Sequence, residues 1–210
     1  DVPYGTSMKG PRMGYSWLKD VDRDSDPPEV FSLDVEGEPP FPNLEKNDDL
    51  HVRYHSFTDY SDVALATGIP PGATPPEIRY FLGHRSQEGD KELTSSFVSI
   101  VETYLSKPSI KQATRLKVAG DVGGLEAVAL RVERVDGAVD YVMISPDDTT
   151  EWEVENGIAF TGRLAVVRTR EDEVEQAWLI RASSIAWGEF SEVRQDCGFR
   201  GSIVKMDRGL

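Results

Sequence analysis

Leu125-Glu126-Ala127-Val128-Ala129-Leu130-Arg131-Val132-Glu133-Arg134-Val135-Asp136-Gly137-Ala138-Val139-Asp140-Tyr141-Val142-Met143-Ile144-Ser145 decides the fold class. Two strand-like runs, Leu125–Val135 and Val139–Ser145, flank Asp136-Gly137. An Asp-Gly pair between alternating runs is among the strongest short signals for a β-hairpin, because both central turn residues must take positive φ. The rhythm continues outward on both sides. Upstream lie Leu50–Phe57, Asp62–Ala66, Glu77–Gly83, Ser96–Tyr104 and Ile110–Val118. Downstream lie Glu151–Glu155, Ile158–Thr169 and Val174–Ser183. Turn chemistry separates them: Pro70-Pro71-Gly72, Glu88-Gly89-Asp90, Gly123-Gly124, Pro146-Asp147-Asp148 and Asn156-Gly157. Many short strands at this spacing predict an all-β fold, an antiparallel β-sandwich of the super-sandwich type, with a smaller second β layer toward the C-terminal end. The segment from Leu93 to Tyr104 also fits a helical face. Its Thr94-Ser95-Ser96 start and its β-branched residues favour a strand.

Three regions are expected. Residues 1–48 form a Pro-, Gly- and Asp-rich lead-in with one or two strands, the clearer being Glu29–Val35. Residues 49–190 form the sandwich. Residues 191–210 begin a further β segment, around Gly201-Ser202-Ile203-Val204. The Ser106-Lys107-Pro108 turn is where the chain could leave one sheet and begin another. The chain opens at Asp1 inside an ordered-looking segment, which suggests a domain excised from a larger protein whose preceding part is its partner.

With 210 residues, four Trp and eight Phe, the chain can fill a core. Its formal net charge is -14, which argues against a nucleic-acid or anionic-membrane surface. No apolar run is long enough to span a membrane as a helix. The single cysteine, Cys197, excludes an intrachain disulfide. The phosphate-loop, dinucleotide, zinc-protease and nucleophile-elbow signatures are absent.

Several residues are candidates for chemistry. Asp20, Asp22, Asp24 and Asp26 offer hard oxygen ligands at every second position, as a calcium loop needs. Ser25 and Phe31 stand where an EF-hand needs Gly and Glu, so a solvated acidic turn leading into Pro27-Pro28 is the plainer reading. His51, Arg53 and His55 share one face of a predicted strand, and that row could bind a sugar carboxylate or sulfate. Its plainer reading is a polar outer face with acidic partners across the strands. Tyr15 and Trp17 could stack on sugar rings, while Trp152, Trp178 and Trp187 read as core or sheet-edge residues. Arg163, Arg168 and Arg170 crowd one strand, where ion pairing across a hairpin accounts for them.

Residues 50–183 resemble the C-terminal β-sandwich region of heparinase II/III-like proteins, large bacterial proteins of polysaccharide-lyase type. The resemblance rests on Val52-Arg53-Tyr54-His55, Leu93–Tyr104, Asp140-Tyr141-Val142-Met143-Ile144-Ser145 and Phe160–Arg168. Tyr15-Ser16-Trp17-Leu18-Lys19-Asp20-Val21 resembles a segment that precedes this region. The resemblance implies a helical toroid upstream, a periplasmic or secreted location, and β-elimination of uronic-acid polysaccharides by the parent. The family's working groups are a Tyr, a His and an Asn or Gln. No catalytic residue carries over, because the family's early-sandwich His would precede Asp1. This piece would then support the toroid or line its cleft. The alternative expectation is a non-catalytic carbohydrate-binding or structural β-domain of a surface or periplasmic protein. A small enzyme with a calcium-dependent site at Asp20–Asp26 is a third.

Overall fold

The computed structural model describes residues 18–37, 49–68, 77–87, 89, 92–120 and 126–193. Within them the chain forms fourteen strands and no helix, and every strand pairing is antiparallel. The all-β antiparallel class therefore holds. The chain divides into two compact units, residues 1–108 and 109–210. The division falls at the Ser106-Lys107-Pro108 turn, inside the span read as one sandwich.

The first unit holds two three-stranded sheets. One has the order β1-β4-β5, from Leu18–Asp24, Asp62–Gly68 and Ile78–His84. The other has the order β2-β3-β6, from Phe31–Glu36, Leu50–Ser56 and Ser99–Leu105. The sheets meet through aromatic side chains. Phe81 of β5 lies 5.8 Å from Phe31 of β2 and 5.3 Å from Tyr54 of β3, measured between ring centroids. Tyr60, in the β3–β4 connection, completes the cluster at 5.8 Å from Phe81. Its ring lies so close over Gly83 that a Cβ there would sit 2.2 Å from Tyr60 Cε1, so the aromatic packing requires that glycine.

The second unit is one eight-stranded sheet. Its strands are β7 (Ile110–Leu116), β8 (Val118–Ala119), β9 (Val128–Arg134), β10 (Val139–Ile144), β11 (Glu151–Val154), β12 (Ala159–Arg170), β13 (Glu173–Trp187) and β14 (Phe190–Val193). The deciding hairpin is β9–β10, with Val139 opposite Glu133 and Ile144 opposite Val128. Long β12 takes β10 and then β11 along one edge and β13 along the other. β11 pairs with β8, which follows β7 after a single residue, so the sheet curls back and nearly closes like a barrel. The alternating residues of β12 explain the curl. Phe160, Ala165 and Val167 point inward and are buried with Trp152, Ile158, Met143 and Ile185. Opposite Thr161/Gly162 a bulge at Ser183 of β13 bends the pair. Gly162 has φ of 146°, and a Cβ there would lie 2.2 Å from Ala182, so only glycine fits.

Three local expectations need correction. Asp20–Asp24 is not an acidic turn but most of β1, an edge strand paired with β4 across a bulge between Lys19 and Asp22. Aspartates are poor strand formers, yet charge on an edge guards it against stray pairing. Strand β6 starts at Ser99 rather than Ser96. The expected run Ile110–Val118 breaks at Lys117, where the chain changes partner from β9 to β11.

Candidate functional site

The predicted row on β3 lies on the polar face of the β2-β3-β6 sheet. Register places Glu36 opposite His51, Asp34 opposite Arg53 and Ser32 opposite His55. On the other side β6 sets Tyr104 against His51 and Glu102 against Arg53. Because side chains alternate, these residues share one surface.

Asp34 is the hub of that surface. Arg53 donates to its Oδ2 from Nε at 2.9 Å and from Nη2 at 2.5 Å. Tyr104 donates its hydroxyl to the same oxygen. His51 Nδ1 lies 3.0 Å from Oδ1. An ionised carboxylate only accepts, so that nitrogen carries the proton. Arg53 Nη2 also donates to Tyr104 Oη at 2.9 Å. The phenol ring meets both neighbours on β3. His51 stacks on it at 4.9 Å and 4°, and the Arg53 guanidinium carbon lies 5.1 Å from its centroid.

The electrostatics follow from this geometry. Desolvation pushes the Asp34 carboxyl upward. The hydrogen bonds from Tyr104, Arg53 and His51 outweigh it and bring the pKa down to about 2. The bond to Asp34 holds the Tyr104 phenol above its usual range. Such a phenol is a poor base near neutral pH. The cation of Arg53 is neutralised in place rather than offered to a ligand.

His55 is set apart from its neighbours. It is 8% exposed, with Nδ1 2.9 Å from Ser32 Oγ and Nε2 3.4 Å from Glu102 Oε2, and Glu102 is 5% exposed. The order hydroxyl, imidazole, carboxylate is that of a nucleophile relay. However, Ser32 is the second residue of extended β2 and does not have a positive φ, so it lacks the strained turn that presents a nucleophile beside an oxyanion hole. The trio reads as a buried histidine with both ring nitrogens satisfied.

The other candidates separate. Tyr15 and Trp17 lie outside the described residues. Asp24 Oδ1 caps the turn by accepting from the Asp26 amide at 2.9 Å, and Asp20 sits at φ of 50° in the bulge. Among the described residues no three His, Cys, Asp or Glu side chains gather so as to hold a metal. Arg168 forks onto Asp140 at 2.6 and 2.9 Å, and Arg170 donates to Glu175 at 2.6 Å, so hairpin ion pairing accounts for both. Trp152 is fully buried, Trp187 packs edge-on to Tyr141 at 5.0 Å, and Trp178 is exposed on β13.

Sequence reasoning missed Asp34, Tyr104, Ser32 and Glu102. Alternation along Glu29–Val35 puts Ser32 and Asp34 on one face. What it could not supply was the register that sets them against His55 and Arg53.

No family model matches the chain, and neither the curated proteins nor the solved structures yield a match.

Proposed function

We propose that this chain is a non-catalytic structural β-domain of a surface or periplasmic protein. One observation carries the reading. Asp34 alone takes up His51, Arg53 and Tyr104, the side chains on this surface best suited to hold a uronate or to move its C5 proton. A lyase needs a cation or amide to neutralise the substrate carboxylate, and a base within reach of the proton. Here the cation is spent internally, and the phenol is held in its protonated form. The net charge of -14 also repels polyanions. Within a polysaccharide-lyase-like parent, such a domain would support the catalytic part rather than cleave.

The test is the ultraviolet absorbance of the unsaturated uronate that β-elimination creates. Alginate, heparin, heparan sulfate and hyaluronan are each incubated with this chain. The expected result is no rise with any of them. A rise that disappears in His51→Ala or His55→Ala would overturn the reading.

A further inference from the structure

The outer face of the second unit carries an apolar block open to solvent. Ile144, Leu164 and Ile180 stand in register across β10, β12 and β13, and Val142, Val166 and Trp178 form the next row. Ile180 is 55% exposed, Ile144 50% and Trp178 42%. A polar row of Asp140, Arg168 and Gln176 closes one end, with the Arg168 guanidinium carbon 5.6 Å from the Trp178 ring centroid. On the β9 side the same face is covered, since Val128 and Leu130 are buried. The open side is β13.

Strand β13 is also an edge. Residues Glu173–Ala182 pair with β12 on one side, and β14 takes only Ser184–Trp187. Among the described residues no other strand pairs with this stretch. Irregularities bracket it: Glu175 is the extra residue of a bulge opposite Arg168 and Thr169 of β12, and Arg181 has φ of 49°. Between them Gln176–Ile180 is regular, with Gln176, Trp178 and Ile180 on the apolar outer face. An exposed edge with an apolar face is a template for another strand.

We propose that β13 pairs with β13 of a second copy of this chain, antiparallel about a two-fold axis through Trp178. That register sets Gln176 against Ile180 of the copy, Ala177 against Leu179, and Trp178 against itself. Every pair then joins like faces, so the two apolar blocks merge into one. The charges also favour it. Glu175 and Arg181 bracket the regular stretch, and the antiparallel register brings the end that carries Glu175 in each chain to the end that carries Arg181 in the other. A parallel register would juxtapose like charges. Both residues keep intrachain partners, Arg170 and Asp148, so the contact extends existing pairs into a four-membered chain at each end. The net charge of -14 opposes association at long range, so added salt strengthens the pairing. This inference does not depend on the non-catalytic reading.

Sedimentation velocity over a hundredfold concentration range, at low and high salt, tests it. The expected mass rises from 23.3 kDa to twice that, further toward the dimer in high salt. Trp178→Lys and Ile180→Lys, both at exposed positions, are each expected to hold the chain monomeric with unchanged circular dichroism. Glu175→Lys weakens the dimer at least tenfold, and adding Arg181→Glu restores it, which keeps the test valid if a lysine variant fails to fold. A monomer at every concentration overturns the proposal. So does a dimer untouched by all these changes, or growth beyond two copies, because the two-fold pairing closes.

Discussion

The two units reach stability by different routes. The second wraps one continuous sheet around an apolar core of Trp152, Ile158, Phe160, Met143, Val167 and Ile185. The first splits its strands into two three-stranded sheets and joins them by tilted and edge-on aromatic contacts. Its apolar residues are less well covered, with Val35, Leu50, Val52, Val101 and Leu105 all exposed. It adds a charged network on its polar face, centred on Asp34. Close packing of large apolar groups makes a core sensitive to volume and indifferent to pH. A carboxylate-centred network has the reverse sensitivities. The difference locates the candidate ligand row in the part of the molecule whose order depends on its own charges.

The comparison can be broken most forcefully at Trp152. Replacing it with Ala leaves a large cavity in a fully buried site and should cost the second unit about 3–5 kcal/mol, read by urea unfolding followed through near-ultraviolet circular dichroism. A loss under 1 kcal/mol, roughly what an exposed aromatic costs, would mean the core is not where the packing puts it. Next in size is Gly162→Val, where strained φ adds to the clash with Ala182. We expect about 3 kcal/mol, again in the second unit. An unchanged melting temperature would show that the bulge relaxes.

In the first unit the effects are smaller. Asp34→Asn removes the charge that Arg53, His51 and Tyr104 share. The Asp34 side chain is 34% exposed, so solvent screens much of the Coulomb energy, and the loss should be about 1 kcal/mol. Chemical denaturation of the two proteins side by side gives the number, and a more stable variant would contradict the hub. The smallest effect is the sharpest. The folded pKa of Asp34 is depressed to about 2, against about 3.9 when unfolded. Its contribution is therefore fully present above the unfolded value and is lost as pH falls through the folded one. Wild type and Asp34→Asn should keep a constant stability gap from neutrality to pH about 5, then converge toward pH about 2. A gap that widens as pH falls has the wrong sign for this account.

Much of the fold was legible because turn chemistry is local. Asp136-Gly137 and Asn156-Gly157 each mark a hairpin that exists, between β9 and β10 and between β11 and β12. The first edge strand was not legible, because Asp20, Asp22 and Asp24 argue for a turn until β4 is known to lie beside them. Nor was the break at Lys117, where one apolar run serves two partners. The candidate row was visible on β3, and the acidic partners expected opposite it are Asp34 and Glu102. Their identity depended on pairing strands far apart in sequence, as the 47 residues between His55 and Glu102 illustrate. Alternation fixes which face a residue takes but not which neighbour it meets.

The most direct measurement is a carbon NMR titration of the Asp34 carboxyl in the folded protein. If one carboxylate holds His51, Arg53 and Tyr104 together, its signal should still be that of the ionised form at pH about 3, with a midpoint near the value of about 2 that the geometry gives. A midpoint at about 3.9, the ordinary value for an aspartate, would contradict it. Arg53 and His51 would then be available to a ligand after all.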